Sequence, residues 1–455
     1  MAQHDNVNNK ISRRKFVKFG GAAIAGSTIN FSSIGKVVPQ QTETETEKIK
    51  TYRVLGRTGF KVSDIGMGTN RSIESNVIRY AYDKGVNYFD SAEGYGNGRS
   101  ERMIGEALKF MDRKKVFITT KVPIDDDEAK ESIIDRCNKC LERLQTDYLD
   151  AFFTHGILKI SSLNHQAYHD AITQLKSDGK VKHSGLSCHG PRGNEEDSME
   201  KVLCAAAEDG RFDVMLLSYN FMNHDQGDKV LAACKKYNVG TTAMKTAPGV
   251  LKVEPIDPDN LSEDQEENVK RMMGRGSSKE EAIERLNRRL ESQKENHEKS
   301  RPFIEKWGIK TNDQLRKTSI HWVSQNPDMH TTCVSFVDFD MIDKIVPISG
   351  ANLSQLDRQF LNEFKLAFND QYCRHGCNEC IATCPHHLPV STMMRYAYYY
   401  ACQGKEKDAM QKYARLNEWN GSHCFGCDAP CLESCPYGVD IQANLIQAHS
   451  LLTLA

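Results

Sequence analysis

Residues 88–101, YFDSAEGYGNGRSE, decide how the rest of the chain can be arranged. The stretch begins as a short apolar strand ending in Asp90 and continues into a glycine-rich loop around Tyr95. It then enters a helix at Ser100, a residue type favoured at helix N-termini. A carboxylate at a strand end, five residues before a tyrosine held between glycines, suits acid catalysis by a phenol. The alternative is a plain strand–loop–helix turn. No Gly-Lys-Ser/Thr follows, which argues against a phosphate-binding loop.

Two downstream strands also end in polar residues. The segment 117–121, FITTK, ends in Lys121, and the segment 148–155, YLDAFFTH, ends in His155. In a parallel barrel, side chains at the carboxyl ends of successive strands converge on one face. Tyrosine, with a free pKa of about 10, is a poor acid near neutrality. A nearby ammonium lowers that pKa, an aspartate holds the ammonium, and a histidine orients a carbonyl. The predicted catalytic group is Asp90, Tyr95, Lys121 and His155.

The order and spacing of these residues resemble the aldo-keto reductase family, and DSAEGYGNGRSE is the most specific piece. The resemblance covers roughly residues 52–350. It implies an α/β fold, namely a (β/α)8 TIM barrel, a nicotinamide cofactor, and Tyr95 as the general acid/base. It also implies a small carbonyl or alcohol substrate.

Eight apolar segments alternating with eight helical patterns favour a closed parallel barrel over an open sheet. Strands are predicted at residues 65–68, 88–90, 117–121, 148–155, 181–187, 214–218, 240–245 and 331–334. Helices are predicted at residues 73–84, 100–110, 128–144, 167–178, 198–208, 226–237, 312–324 and 338–346. Residues 52–62 are predicted to form a hairpin, which the family uses to close the barrel floor.

An insertion, residues 250–310, separates the seventh strand from the seventh helix. A capping box at Ser278 predicts one helix there, and a second is expected at 262–273. Because it is a βα loop, the insertion must emerge on the catalytic face. It is expected to be a lid, a substrate wall or a dock for another domain, with a solvated charged hairpin as the alternative.

The resemblance also implies cofactor contacts. Tyr219 follows the sixth strand, where the family places a tyrosine that stacks on the nicotinamide ring. Ser187 follows the fifth strand and is expected to hold the carboxamide, although the family's neighbouring asparagine is missing. His189 is as consistent with a solvated loop residue. NADP-preferring members have a basic loop after the eighth strand, whereas this chain has Asp338 and Asp340. Carboxylates repel a 2′-phosphate, so NAD(H) is favoured over NADP(H).

Eight of the fifteen cysteines fall into two motifs, each ending in Cys-Pro. They are Cys373, Cys377, Cys380 and Cys384, followed by Cys424, Cys427, Cys431 and Cys435. Such motifs are typical of [4Fe–4S] clusters, whereas structural zinc usually takes Cys-x2-Cys pairs set further apart. In two-cluster ferredoxins the fourth cysteine ligates the other cluster. Two clusters are therefore expected, although one gap in each motif is a residue longer than usual.

The C-terminal tail, residues 351–455, is expected to be a helical ferredoxin-like domain, with a helix-like segment at 391–416 between the two motifs. A helix at 353–368 would span about 24 Å, since the rise is 1.5 Å per residue. That is enough to carry the chain up the barrel wall. The tail is therefore predicted to rest near the barrel mouth. Cys402, Cys137 and Cys140 are interpreted as packing residues.

Residues 12–18, SRRKFVK, precede a glycine- and alanine-rich run and match a twin-arginine export signal. A disordered basic tail is the alternative. The expected organisation is a signal at 1–38, a polar linker at 39–50, the barrel at 51–350 and the tail, in an exported, periplasmic protein.

The net charge of −1 gives no support for nucleic-acid binding. No apolar run approaches the ~20 residues of a membrane span, so none is expected in the mature chain.

Three functions are compatible with these features. The first is an oxidoreductase whose clusters relay single electrons, with a redox partner protein. The second is a nicotinamide-dependent aldo-keto reductase with purely structural clusters. The third is a non-enzymatic electron-transfer protein that uses the barrel as a scaffold, and the catalytic group argues against it.

Overall fold

The computed structural model describes residues 47–71, 74–192, 196–249, 273, 278–403 and 405–453. All of these belong to one compact unit, residues 46–455. The twin-arginine motif, residues 39–46 of the expected linker and all but residue 273 of the helix expected at 262–273 lie outside the described residues.

Eight parallel strands form a closed barrel in the order β10-β3-β4-β5-β6-β7-β8-β9. The bounds are β3 Gly66–Gly68, β4 Tyr88–Asp90, β5 Phe117–Val122, β6 Leu149–His155, β7 Val181–Cys188, β8 Val214–Ser218, β9 Gly240–Met244 and β10 Thr331–Val334. The predicted TIM barrel is confirmed, and its strands differ from the expected bounds by at most one residue at either end.

The predicted hairpin consists of β1 (Tyr52–Val54) and β2 (Lys61–Ser63), which pair antiparallel. Its turn packs against the amino-terminal end of β9, where a Cβ atom at Gly56 would lie only 2.3 Å from the Gly240 nitrogen. The hairpin therefore lies at the barrel floor, opposite the carboxyl ends of the strands.

Helices follow the strands of the barrel. They are α1 Ser75–Asp83, α2 Arg99–Leu108, α3 Lys130–Leu144, α4 Gln166–Ser177, α5 Met199–Asp209, α6 Asp225–Lys236, α7 Lys279–Trp307, α8 Asp313–Gln325 and α9 Phe339–Ile345. Helix α7 lies in the insertion, and the predicted capping box is present, with Ser278 and Glu281 bonding each other's backbone N–H groups. Its C-terminal part packs on the tail, since the Phe303 and Phe360 ring centroids are 5.2 Å apart.

The tail contains α10 Gln355–Phe368, α11 Val390–Gln403, α12 Glu406–Ala414 and α13 Ile441–Leu452. The predicted helix at 353–368 is confirmed as α10, and its apolar face is buried. The helix-like segment at 391–416 is divided into α11 and α12. Glycine is a weak helix former, and Gly404 lies between the two helices in the sequence. Among the described residues, we find no helix with the length and hydropathy needed to cross a membrane.

Candidate active site

A buried ion pair forms the floor of the site. Lys121 Nζ donates to Asp90 Oδ1 at 2.6 Å and to the Ser91 carbonyl oxygen at 2.6 Å. Thr119 Oγ1 donates to the other Asp90 oxygen at 2.7 Å. Asp90 and Lys121 are each 1% exposed. A pair so deeply buried is held in one geometry, because separating the charges would leave each without solvent or partner.

Tyr95 and His155 lie above this pair. Their ring centroids are 5.9 Å apart at an interplanar angle of 83°, and Lys121 Nζ lies 5.2 Å from the Tyr95 ring centroid. The loop after β4 holds Tyr95, and β6 ends at His155. The structure thus brings the four predicted residues together at the carboxyl ends of β4, β5 and β6.

The pKa of Tyr95 is shifted in the direction opposite to the one predicted from the sequence. Burial, followed by the Asp90 carboxylate, raises the pKa of Tyr95 well above its ordinary value. The predicted net lowering of this pKa is wrong for this arrangement, because burial and the Asp90 carboxylate outweigh the stabilisation of the phenolate by the Lys121 ammonium. Tyr95 is therefore protonated near neutral pH. Burial, followed by Lys121, lowers the pKa of His155 to about 3, so its imidazole is neutral.

The catalytic group opens into a cavity of about 1020 Å³. One wall consists of strand ends and the following loops, and the other consists of α11 and α12 of the tail. Asn220, after β8, donates to the Tyr372 hydroxyl at 3.1 Å. Lys245, after β9, donates to the Tyr399 hydroxyl at 3.0 Å. The prediction that the tail rests near the barrel mouth is confirmed.

Arg374 anchors the tail to the loop after β8. It is 2% exposed, and its Nε donates to the Met222 carbonyl oxygen at 3.0 Å. Its guanidinium also donates to the Asn369 carbonyl oxygen at 2.6 Å and lies 3.9 Å from the Tyr437 ring centroid. This side chain joins the barrel to the segment that carries both cysteine motifs.

The loop after β7 meets the tail backbone directly. A Cβ atom at Gly190 would lie 2.0 Å from the Gly376 Cα, and Gly190 has a φ of +84°. We expect Gly190→Ala to separate the tail from the barrel, with a loss of about 1–3 kcal/mol from overpacking in addition to backbone strain. Thermal unfolding and limited proteolysis would measure both effects.

Gly179→Ala is the matched control, because Gly179 has a φ of +72° and no atom within 4 Å of an added Cβ. It should show the backbone strain alone. Equal stability loss in the two variants would mean that the close approach to Gly376 does not hold the tail.

The predicted cofactor contacts are not on the cavity surface. Tyr219 is 1% exposed, its ring packs against Trp322 at 5.4 Å, and its hydroxyl donates to Asp228 at 2.7 Å. Stacking of Tyr219 on a nicotinamide ring is therefore wrong for this structure, because the ring packs between α6 and α8. Ser187 is fully buried, and its Oγ accepts from the Gly156 amide at 3.0 Å.

Sequence reasoning missed or misassigned three residues that line the cavity, namely His189, Lys245 and Arg395. His189 lines the cavity, and its Nδ1 is buried with no hydrogen-bond partner among the described residues, so it is not a solvated loop residue. The rule that found His155 could also have found Lys245, which was the last residue of the strand expected at 240–245. Arg395 of α11 could not have been found, since its position depends on tail docking.

The cysteines approach each other in two groups. Burial, followed by Cys380, Cys377 and Cys435, raises the pKa of Cys373. Burial, followed by Cys384, Cys431 and Cys427, raises the pKa of Cys424 to about 11. Each of these two sets contains three cysteines of one motif and the last cysteine of the other, and Cys380 of the first set also lies near Cys431 of the second. Cys137 and Cys140 lie in the barrel core, as predicted.

Backbone amides point at several of these sulfur atoms. The Leu388 amide lies 3.5 Å from Cys384 Sγ, and the Val439 amide lies 3.4 Å from Cys435 Sγ. Among the described residues, no three His, Cys, Asp or Glu side chains are close enough together to hold a single metal ion.

The closed parallel barrel and its strand-end site define the class of the protein, a TIM-barrel enzyme with its catalytic group at the carboxyl ends of the strands. A family model described as "Aldo/keto reductase family" matches residues 55–370. The chain belongs to the aldo/keto reductase family, whose members are oxidoreductases.

Similar curated proteins include a probable aldo-keto reductase from Glycine max, 32% identical over 152 residues, which are 29% of this chain and 43% of that protein. A putative voltage-gated potassium channel subunit beta from Schizosaccharomyces pombe is 35% identical over 155 residues, which are 30% of this chain and 44% of that protein. The chain thus spans less than half the length of these relatives.

Similar solved structures include the holo form of an aldo-keto reductase from Bacillus halodurans, with a TM-score of 0.47 and 18% identity, covering 69% of this chain and 96% of that one. An aldo-keto reductase from Klebsiella pneumoniae in complex with NADPH has a TM-score of 0.45 and 19% identity, and the match covers 70% of this chain and 95% of that one.

Proposed function

We propose that this protein interconverts a small carbonyl compound and an alcohol, with a nicotinamide cofactor and with Asp90, Tyr95, Lys121 and His155 as the catalytic residues. The observation that carries the proposal is the buried Lys121–Asp90 pair, with a Nζ–Oδ1 distance of 2.6 Å, lying beneath Tyr95 and a neutral His155. Asp90, Tyr95 and His155 line a cavity of about 1020 Å³, at the upper end of the usual size range for ligand sites.

In reduction, Tyr95 donates its phenolic proton to the carbonyl oxygen as negative charge develops there. Lys121 lies within 5.2 Å of the ring centroid and stabilises the phenolate that remains. His155 is neutral, so it can orient the carbonyl by one hydrogen bond without adding charge. Helices α11 and α12 cover the cavity and limit the access of water.

The cavity also fits a nicotinamide cofactor. The ends of β9 and β10 and the residues that follow them line it and would hold the cofactor; they include Thr246, Ala247, Val334 and Ser335. When bound, the nicotinamide supplies or accepts the hydride. The residues predicted for this role, Ser187 and Tyr219, do not line the cavity, so the ends of the next two strands in the barrel, β9 and β10, are better placed.

We expect NADH to bind more tightly than NADPH. Asp338 caps α9 by accepting from the Met341 amide at 2.7 Å, and Asp340 is exposed in its first turn. Both oppose a 2′-phosphate. Side-by-side fluorescence titrations would measure the preference, and Asp340→Asn should strengthen NADPH binding a few-fold, as removal of one exposed charge typically does.

An Asp83→Asn variant, which alters an exposed carboxylate outside the cavity, should leave both affinities unchanged. Tighter binding of NADPH than of NADH by the unaltered chain would contradict the preference. It would indicate that Arg71 or Arg316, which also line the cavity, contacts the 2′-phosphate.

We further propose that the tail binds two [4Fe–4S] clusters and relays electrons between the site and a redox partner protein. One ligand set is Cys373, Cys377, Cys380 and Cys435, and the other is Cys424, Cys427, Cys431 and Cys384. The grouping of the thiols and the amides directed at their sulfur atoms support these sets. When bound, such clusters store and transfer single electrons. Their place next to the mouth of the barrel favours electron transfer over a purely structural role.

Anaerobic purification with iron and sulfide analysis should give about eight irons per chain, as two four-iron clusters require. Cys373→Ser should remove about half of the iron. Cys204→Ser, at a partly exposed cysteine outside both motifs, should remove none. About four irons in the unaltered chain would leave only one cluster.

Electron paramagnetic resonance after addition of NADH distinguishes the relay from a structural role. Oxidation of one NADH to NAD⁺ and a proton would release two electrons, one for each of the two clusters, so the reduced clusters should give a signal within the turnover time of the enzyme. Carbonyl reduction with no such signal would favour clusters that only stabilise the tail.

A further inference from the structure

The cavity carries far more positive than negative charge. Within the part of the chain that the structure describes, nine lysine and arginine residues line it, against three aspartate and glutamate residues. Asp90 is engaged by Lys121, and Asp408 pairs with Lys412 at 2.7 Å. Most of the cationic side chains therefore have no neutralising carboxylate within the cavity, which suits an anionic ligand.

Two of these cations lie deep in the cavity. Arg395 is 5% exposed, and its guanidinium donates to Thr392 Oγ1 at 3.1 Å. Lys245 Nζ donates to the Tyr399 hydroxyl at 3.0 Å. Among the described residues, no carboxylate forms an ion pair with Arg395 or Lys245. A buried cation without a carboxylate partner, such as Arg395, is costly, and Lys245 is half-buried in the same cavity, so a site of this kind usually binds an anion.

A third group is the unsatisfied His189 ring. Its Nδ1 is buried and has no hydrogen-bond partner among the described residues, although the side chain lines the cavity. Burial, followed by Lys245, Arg395 and His155, lowers the pKa of His189 well below its ordinary value. The neutral imidazole therefore lies among these cations and beside the catalytic histidine, with a free nitrogen for a ligand.

We infer that Arg395, Lys245 and His189 bind a carboxylate of the substrate, which is then an oxo acid or the corresponding hydroxy acid. The inference rests on the proposed function for its carbonyl chemistry. A guanidinium binds a carboxylate through two parallel hydrogen bonds, and an ammonium adds a point charge. Because His155 lies beside this group, the bound carboxylate holds the reacting carbon near Tyr95.

This group is separate from the two arginines at the expected 2′-end of the cofactor, whereas Lys245 directly precedes Thr246, one of the residues proposed to hold the cofactor. His189 follows β7, Lys245 follows β9, and Arg395 belongs to α11. Arg71 and Arg316 instead lie near Asp338, at the end of the cavity where the 2′-position of a nicotinamide cofactor is expected. The tail thus contributes a specificity-determining residue to the barrel's site.

The test uses the full chain with its iron, purified anaerobically, and calorimetric titration with benzoate and with benzamide. These probes have nearly the same shape and differ in charge. We expect benzoate to bind at least tenfold more tightly than benzamide. Arg395→Met should weaken benzoate binding at least tenfold and leave benzamide and NADH binding within a factor of two. Lys407→Met, at an exposed cation on the cavity rim, should change benzoate binding less than twofold.

Lys245→Met is the second variant, in case Arg395→Met does not fold, and it should weaken benzoate binding in the same way. Equal binding of benzoate and benzamide by the unaltered chain would overturn the inference. A variant at Arg395 or Lys245 that loses NADH binding and retains benzoate binding would also overturn the inference. It would assign these cations to the phosphates of the coenzyme.

The binding measurements need no turnover, so the two proposals fail separately. Reduction of neutral aldehydes without a preference for benzoate would remove only the carboxylate site. Selective benzoate binding by a protein that reduces no carbonyl compound would support the carboxylate site and remove the proposed function.

Discussion

Replacing Tyr95 by phenylalanine is expected to lower the rate of carbonyl reduction by a factor of about 10² to 10⁴, the usual effect of losing general acid catalysis. Burial raises the pKa of Tyr95, so its hydroxyl carries a proton near neutral pH. The variant retains the ring and removes only that proton. Steady-state turnover of an aldehyde with NADH would measure the loss, while the iron content and melting temperature should not change.

Tyr396→Phe is the matched control, since it removes a hydroxyl from another tyrosine that lines the same cavity. It should retain most of the activity. If Tyr95→Phe retains full turnover, the catalytic assignment fails. Tyr399 would then be the next candidate, because Lys245 and Arg395 counteract burial and bring its pKa to about 8.

Replacing Lys121 by methionine should destabilise the protein by about 3–5 kcal/mol, the usual cost of leaving one member of a buried ion pair without its partner. Both residues are 1% exposed, so no solvent can compensate the Asp90 carboxylate. Denaturant unfolding would measure the change. Turnover should also fall, because the phenolate of Tyr95 loses its nearby cation.

A double variant, Lys121→Met with Asp90→Leu, separates stability from catalysis. It should recover much of the stability, because no unpaired charge remains, and none of the activity. Lys109→Met serves as the control at an exposed pair with Glu106 and should cost less than about 1 kcal/mol. A Lys121→Met variant as stable as this control would mean that the buried pair does not hold the site together.

Local sequence patterns were sufficient for the barrel. Short apolar segments alternating with amphipathic helices predicted every strand of the barrel to within one residue at each end. The catalytic group followed from the same pattern, because polar residues at the ends of parallel strands must meet on one face. Asp90, Lys121 and His155 occupy those positions.

The orientation of loop residues was not predictable in this way. Tyr219 comes directly after the end of β8, where a shift of one residue turns a side chain from the cavity to the outer layer. Trp322 and Asp228, which hold it there, are contributed by α8 and α6. The direction of the pKa shift of Tyr95 was not predictable either, since it depends on how deeply the tertiary structure buries the site.

The sequence by itself determined the barrel, the four residues at its strand ends and the two cysteine motifs, because each depends on spacing within a short segment. Only the tertiary structure decided what covers the site. Tyr372 contacts Asn220 across 152 residues, and Tyr399 contacts Lys245 across 154. No local pattern encodes such separations. The cationic cavity, with Arg395 from the tail and Lys245 from the barrel, therefore exists only because the tail folds back over the strand ends and excludes water from the charges it brings together.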